Sequence, residues 1–187
     1  MTTTVTQTIA LAAGSNWVSF NVDITLDDLK AAIQAALPGN TATAIIASKQ
    51  ANVRYMRGRW AGQLNALDPT QMYKITVSDA CEIVLEGMPV DPTELVVTIV
   101  PGANWIAYPF ATSSTPTNFF SGFAINNDQV SSKTQSSRYR GRWAGQLNTL
   151  EPGQGYIYFS AGAEDRFFSY PTLSKDGDKA ILNLRKQ

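Results

Sequence analysis

Nine residues, Arg-Gly-Arg-Trp-Ala-Gly-Gln-Leu-Asn, occur at Arg57–Asn65 and again, letter for letter, at Arg140–Asn148. Each copy sets one indole, Trp60 or Trp143, among guanidinium and amide donors: Arg57, Arg59 and Gln63 in the first, Arg140, Arg142 and Gln146 in the second. The chemistry open to such a set is non-covalent. An exposed indole can stack on the apolar face of a sugar while the donors beside it take the hydroxyls. The same residue types anchor protein partners, because Trp, Tyr and Arg dominate interface hot spots. A packing role accounts for the string as well. In that role Gly58 and Gly141 make hairpin turns, the indoles cap a core, and the arginines stack over them as cation–π partners.

Reactive chemistry finds little to work with. The chain has no histidine, so a serine or cysteine nucleophile has no imidazole base, and Cys81 is the only cysteine. Zinc sites need Cys or His sets that are missing, and no glycine-rich phosphate loop joins a strand to a helix. Asp68 and Glu151 stand at matching places, each before a proline, where they read as turn formers. Asp176-Gly177-Asp178 is a weak calcium motif in a polar tail. The expectation is a non-enzymatic protein with no cofactor and no metal.

Bulk properties narrow the partners. The chain has 187 residues, 44% hydrophobic and only 16% charged, with fifteen basic residues against fifteen acidic ones. A nucleic-acid footprint needs a basic excess on one face, so no nucleic acid is expected, although Arg54, Arg57, Arg59 and Arg138, Arg140, Arg142 form local clusters. No apolar stretch is long enough to span a bilayer, so no membrane insertion is expected. The first residues, Met-Thr-Thr-Thr-Val-Thr, lack the basic start and apolar run of a signal peptide. With one cysteine there is no internal disulfide, and stability must come from packing.

The elements that would carry the repeated string are themselves repeated. Gly14-Ser15-Asn16-Trp17-Val18 answers Gly102-Ala103-Asn104-Trp105-Ile106 at a shift of 88, and Arg54-Tyr55 answers Arg138-Tyr139 at 84. Met56 is then an extra residue, and the nine-residue string aligns at 83. Alternating stretches predict strands through Ile9 and Leu11, through Val18, Phe20 and Val22, and over 44–50, 52–56, 71–77 and 81–85. The second copy offers 130–134, 156–160 and 166–170. Trp17 and Trp105 start their strands on the opposite face or at its edge, where they lock a turn or meet a ligand. Tyr73 and Tyr156 read as core, and Cys81 as a small buried hydrophobe. Thr25 and Asp28 predict a capping box for a helix with Leu26, Leu29, Ile33 and Leu37 inward, stopped at Pro38-Gly39-Asn40. Thr115 and Pro116 open a shorter one whose Phe119, Phe120 and Phe123 supply bulk in place of length.

The expected fold is mainly β (β-rich α+β): two tandem homologous modules, each with one short helix, related by a pseudo-twofold. Their bounds are 1–90 and 91–172, with a proline-marked join at Met88–Thr93 and a polar tail at 173–187. The pattern Gly-x-Asn-Trp-(Val/Ile)-(Ser/Ala)-(Phe/Tyr), then Tyr-x-Gly-x-Trp-x-Gly-x-Leu, then Leu-Glu-Pro-Gly-x-Gly-Tyr resembles a "GWNWISF…W.G.L..L.PGKGY" repeat module of bacterial secreted and surface proteins, notably of Bacteroidota. The resemblance covers about residues 8–85 and 96–160 and implies an accessory, non-catalytic module. The first copy departs from it, with Thr70 and Met72 where the second keeps Gly153 and Gly155. Together these readings lead to a structural, adhesion or interaction module on a cell surface or virion, extracellular, engaging a protein partner or itself. The alternative is a carbohydrate-binding module that uses the repeated hairpins on a glycan.

Overall fold

The computed structural model describes residues 3–37, 39 and 41–173. The tail beyond Leu173, with its Asp176 and Asp178, lies outside them, as do Pro38 and Asn40 of the helix stop. The protein is mainly β. The first half runs β1 (Val5–Leu11), β2 (Gly14–Val18), β3 (Val22–Asp23), α1 (Leu26–Ala36), β4 (Ala44–Ala47), β5 (Asn52–Met56), β6 (Arg59–Gly62), β7 (Tyr73–Val77) and β8 (Cys81–Pro89). A 3-10 turn at Pro92–Glu94 leads into β9 (Val96–Ile99), β10 (Gly102–Ile106), α2 (Pro116–Phe119), β11 (Gln129–Ser131), β12 (Ser136–Tyr139), β13 (Trp143–Gly145), β14 (Tyr156–Ser160) and β15 (Arg166–Ser169).

Two five-stranded antiparallel sheets dominate, in the orders β2-β7-β4-β5-β6 and β10-β14-β11-β12-β13. Position by position the two orders correspond. Beside them lie β1-β8-β3 and β15-β9. Local chemistry is matched too. Asn16 bonds the backbone of Ala12 and Gly14, and Asn104 that of Val100 and Gly102, each closing the turn before its tryptophan. The Tyr73 hydroxyl accepts from the Asp68 N–H and the Tyr156 hydroxyl from the Glu151 N–H, at 2.6 and 2.7 Å.

The helices follow their capping residues. Thr25 and Asp28 form the reciprocal box, and Leu26, Leu29 and Ile33 are buried beneath α1. Thr115 accepts from the Asn118 N–H at the start of the four-residue α2. There Phe119 packs on Tyr108, Phe168 and Tyr170 at ring separations of 5.2, 5.3 and 5.7 Å. Rings thus fill the second core where a longer helix fills the first.

One strand is shorter than its alternation implies. Phe20 and Val22 are buried with Val18, but β2 stops at Val18 because Ser19 turns its polar groups to the other half of the chain. Its N–H donates to the Gly153 carbonyl (3.2 Å) and its hydroxyl to the Gln154 carbonyl (2.6 Å). In the second half β10 stops at Ile106, and the Ala107 N–H donates to the Thr70 carbonyl (2.9 Å). These contacts are reciprocal: Ser19 answers Ala107 and Gly153 answers Thr70. The lysines repeat the relation. Lys49 Nζ donates to the Ala103 carbonyl and Lys133 Nζ to the Ser15 carbonyl, at 2.7 and 2.5 Å. Reciprocal contacts of this kind characterise isologous pairing. Between them Lys74 Nζ sits 5.0 Å from the Trp17 ring centre and 4.4 Å from that of Trp105, so these tryptophans meet a lysine across the two halves.

Candidate functional site

The repeated string forms the outermost hairpin of each sheet, at the opposite edge from β2 or β10. In the first, Met56 pairs with Arg59, and Arg57 and Gly58 make a two-residue turn with φ of 53° and 79°. Both values are positive, as a type I′ hairpin turn requires. In the second, Tyr139 pairs directly with Trp143, leaving the three-residue loop Arg140-Gly141-Arg142. The extra Met56 is absorbed at the hairpin end.

Within the string, roles alternate with the period of a strand. Trp60 lies opposite Tyr55, which is buried, with ring centres 5.2 Å apart. Trp143 packs on Tyr139 and Phe120 at 5.4 and 5.5 Å. Gly62 and Gly145 have φ of 153° and 152°, and a Cβ on either would lie 2.3 Å from a backbone oxygen of the neighbouring strand, that of Asn52 or Ser136. That oxygen accepts two bonds, from Gln63 and Leu64 in one copy and from Gln146 and Leu147 in the other. Leu64 and Leu147 are buried. The alternate positions all face solvent: Arg57, Arg59, Ala61, Gln63 and Asn65, and likewise Arg140, Arg142, Ala144, Gln146 and Asn148.

The indoles and the arginines therefore stand apart. Arg59 and Trp60 are adjacent on β6 and project to opposite faces of it. Arginine stacking over the repeated indoles, expected from a packing role, does not occur: among the described residues the cations over rings are Lys74 and Arg166. Trp60 and Trp143 are half-buried, and the Trp60 Nε1 is buried without a partner. On the outward face, Arg54, Arg57 and Arg59 line a shallow depression of about 650 Å³ with Asn52, Met56 and Ala61. Arg140 and Gly141 line a smaller one of about 380 Å³ with Asn126 and Asn127. Arg57 and Arg59 share the first depression without Gln63, and Arg140 lines the second without Arg142 or Gln146; the indoles leave both.

Other titratable groups are engaged in structure. Asp128 is fully buried. Its carboxylate accepts from the Ile125 and Ala161 N–H groups, the Tyr158 hydroxyl and Arg166 Nη2 (2.8 Å). Burial pushes this carboxyl up, but those four donors together hold it below its ordinary value. Burial likewise pushes Tyr156 up to about 12. Asp68 bonds the Thr70 N–H and hydroxyl within its own turn. Cys81 is half-buried rather than buried, and burial, then Asp79, raises its thiol pKa. Among the described residues no cluster of His, Cys, Asp and Glu could hold a metal ion, and no helix is long and apolar enough to cross a membrane.

The Asp128 network was not legible from spacing, because its members come from two strands, β14 and β15, and the loops before β11 and after β14. Register locates their equivalents in the first half. Tyr158 pairs with Val130 as Ile75 pairs with Ile46, and Arg166 with Ile99 as Cys81 with Leu11. Asp128 precedes β11 as Ala44 opens β4 beside Ile45. An ion pair with a hydrogen-bonded tyrosine thus stands where the first half has Ala44, Ile75 and Cys81. Comparison with protein families, curated proteins and solved structures returns no match.

Proposed function

We propose that the chain is a non-enzymatic adhesion or interaction module, displayed on a cell surface or virion, that presents one contact strip twice. One observation carries this reading. Packing and backbone geometry account for Trp60, Gly62 and Leu64 and their partners in the second copy. They do not account for the identity of the solvent-facing residues between them. Several exposed positions elsewhere differ between the halves, as at Asn52 against Ser136, while the exposed matches outside the string include the basic pairs Lys49 with Lys133 and Arg54 with Arg138. Identity at exposed arginine, alanine, glutamine and asparagine positions points to a shared partner. Two such strips on one chain engage a repeating target with an avidity that neither strip has alone.

The reading includes two tandem modules at 1–90 and 91–172, supported by the corresponding strand orders and the reciprocal bonds of Ser19 and Ala107. It also includes membership of the "GWNWISF…W.G.L..L.PGKGY" repeat family of bacterial secreted and surface proteins, supported by the Asn16 and Asn104 turns that precede the paired tryptophans. Stacking of a neutral sugar on Trp60 or Trp143 has less support, since each indole turns to its core. Immunogold labelling of intact cells and virions of the source, with an antibody against this chain, is the test. Decoration of outer surfaces is expected; label confined to the interior of sectioned cells rejects surface display.

A further inference from the structure

We infer that the outward faces of the two five-stranded sheets form one anion-binding surface, and that its ligand is an acidic polysaccharide bearing carboxylate or sulfate groups. The inference rests on the contact role proposed above and names what the strips contact. Strand register defines the surface. One outward row of the first sheet reads Ala61–Arg54–Ile45–Thr76–Ser15, and its counterpart reads Ala144–Arg138–Gln129–Phe159–Ala103. The neighbouring rows run from Asn52 to Trp17 and from Ser136 to Trp105. No position in these rows is Asp or Glu. The rows join at the middle, where Lys74 lies against both Trp17 and Trp105 and the Lys49 and Lys133 ammonium groups cross to the opposite sheet.

Charge is segregated although the chain is neutral overall. Among the described residues the ion pairs are Lys30–Asp27 and Arg166–Asp128. Both lie away from this surface. Among the described residues the arginine trios of the two hairpins, with Lys49, Lys74 and Lys133 between them, have no carboxylate partner. A depression of about 650 Å³ opens among Arg54, Arg57 and Arg59, within the range of ligand sites, roughly 300–1,000 Å³. Guanidinium groups fork onto carboxylate and sulfate oxygens with two parallel bonds.

A polysaccharide fits better than the other polyanions. Single-stranded nucleic acid is held by base stacking on open rings as well as by charge. Phe159, 48% exposed, is the one open ring in these rows; the outward neighbours of Arg54 are Ile45 and Ala61 and those of Arg138 are Gln129 and Ala144, so no run of rings lies along either arginine trio. The indoles at the middle already hold Lys74. An acidic peptide added as a strand needs a long free edge, and β6 and β13 span only four and three residues.

Titration calorimetry with heparin, alginate, neutral dextran, poly-glutamate and a thymidine oligonucleotide tests the inference, at low and raised salt. Heparin or alginate is expected to bind, with affinity falling as salt rises, and dextran is expected not to bind. The pair Arg54→Gln/Arg59→Gln, and separately Arg138→Gln/Arg142→Gln, should each weaken binding about tenfold, the scale of one lost charge-assisted bond. An unchanged thermal midpoint would show that these variants remain folded. Silence with every probe overturns the inference, and so does binding untouched by both pairs. Oligonucleotide or poly-glutamate binding as tight as heparin overturns it as well. Surface display, read by immunogold, stands or falls separately.

Discussion

Met72 and Gly155 occupy equivalent places in the two halves, and they meet: a Cβ on Gly155 would lie 2.4 Å from the Met72 Cβ and 2.9 Å from the Val18 carbonyl oxygen. Met72 is fully buried. The halves therefore fit as a large residue against an absent side chain, and the Gly155 N–H donates to the Trp17 carbonyl at 3.0 Å. Two first-half units paired this way would clash, and two second-half units would leave a void. The predicted consequence is coupling. Gly155→Ala should cost about 1–3 kcal/mol by overpacking, and Met72→Gly, which also removes the Cβ that Gly155→Ala would strike, about 2–5 kcal/mol or more by cavity formation. The double variant should lose clearly less than the sum of the two, as residues in contact do. Denaturant unfolding of the three variants measures this, and strict additivity would remove the contact from the account.

Much of this arrangement was legible in the letters. The duplication, the two tandem tryptophan turns, the Thr25–Asp28 box and the Phe-rich replacement of a helix all follow from local residue types. Glycine against Met72 was visible only as a departure from a pattern. The reason for Gly155 lies across the chain, in a contact with no sequence spacing to betray it. The same limit applies to the hairpins. Alternation separates Arg59 from Trp60, but reading the string as a cluster of useful groups placed them together. Strand period, applied to the string itself, was the available signal.

The pair of buried Asp128 with half-buried Arg166 stands where the first half is apolar, which makes its energetics testable against an internal reference. Removing one partner leaves the other charged and buried, at about 3–5 kcal/mol. Arg166→Met alone should therefore be strongly destabilising. Adding Asp128→Asn to it should restore part of the loss by removing the unpaired buried charge; recovery stays partial because Ile125 and Ala161 donate to different carboxylate oxygens and the amide oxygen accepts from only one of them. A double variant no more stable than Arg166→Met in chemical unfolding would count against the pair as a coupled unit.

Acid should act through the same carboxylate. Asp128 has its folded pKa depressed below the ordinary 3.8. Its contribution is therefore fully present above that unfolded value and is lost as pH falls through the lower folded one. Unfolding free energy followed downward from neutral pH should decline below about pH 4, more steeply in the parent than in Asp128→Asn. Equal slopes in the two proteins would assign acid sensitivity to other groups.

The hairpins give the sharpest separation between shape and contact, because neighbouring residues in one string should respond oppositely. Trp143 touches Phe120, Tyr139 and Tyr158, at ring separations of 5.5, 5.4 and 6.4 Å. Trp143→Ala should cost about 3–5 kcal/mol as a large-to-small change in packed surroundings. Trp60 has Tyr55 as its ring partner and leaves Nε1 buried without a bond, so Trp60→Ala should cost less. Arg59→Ala and Arg142→Ala remove exposed side chains with no ion pair among the described residues and should shift stability by no more than about 0.5 kcal/mol. Thermal and chemical unfolding of the four variants decides the matter. Arginine losses as large as those of tryptophan would mean that the exposed half of the string is kept for folding, and the identity of the two strips would then need no partner to explain it.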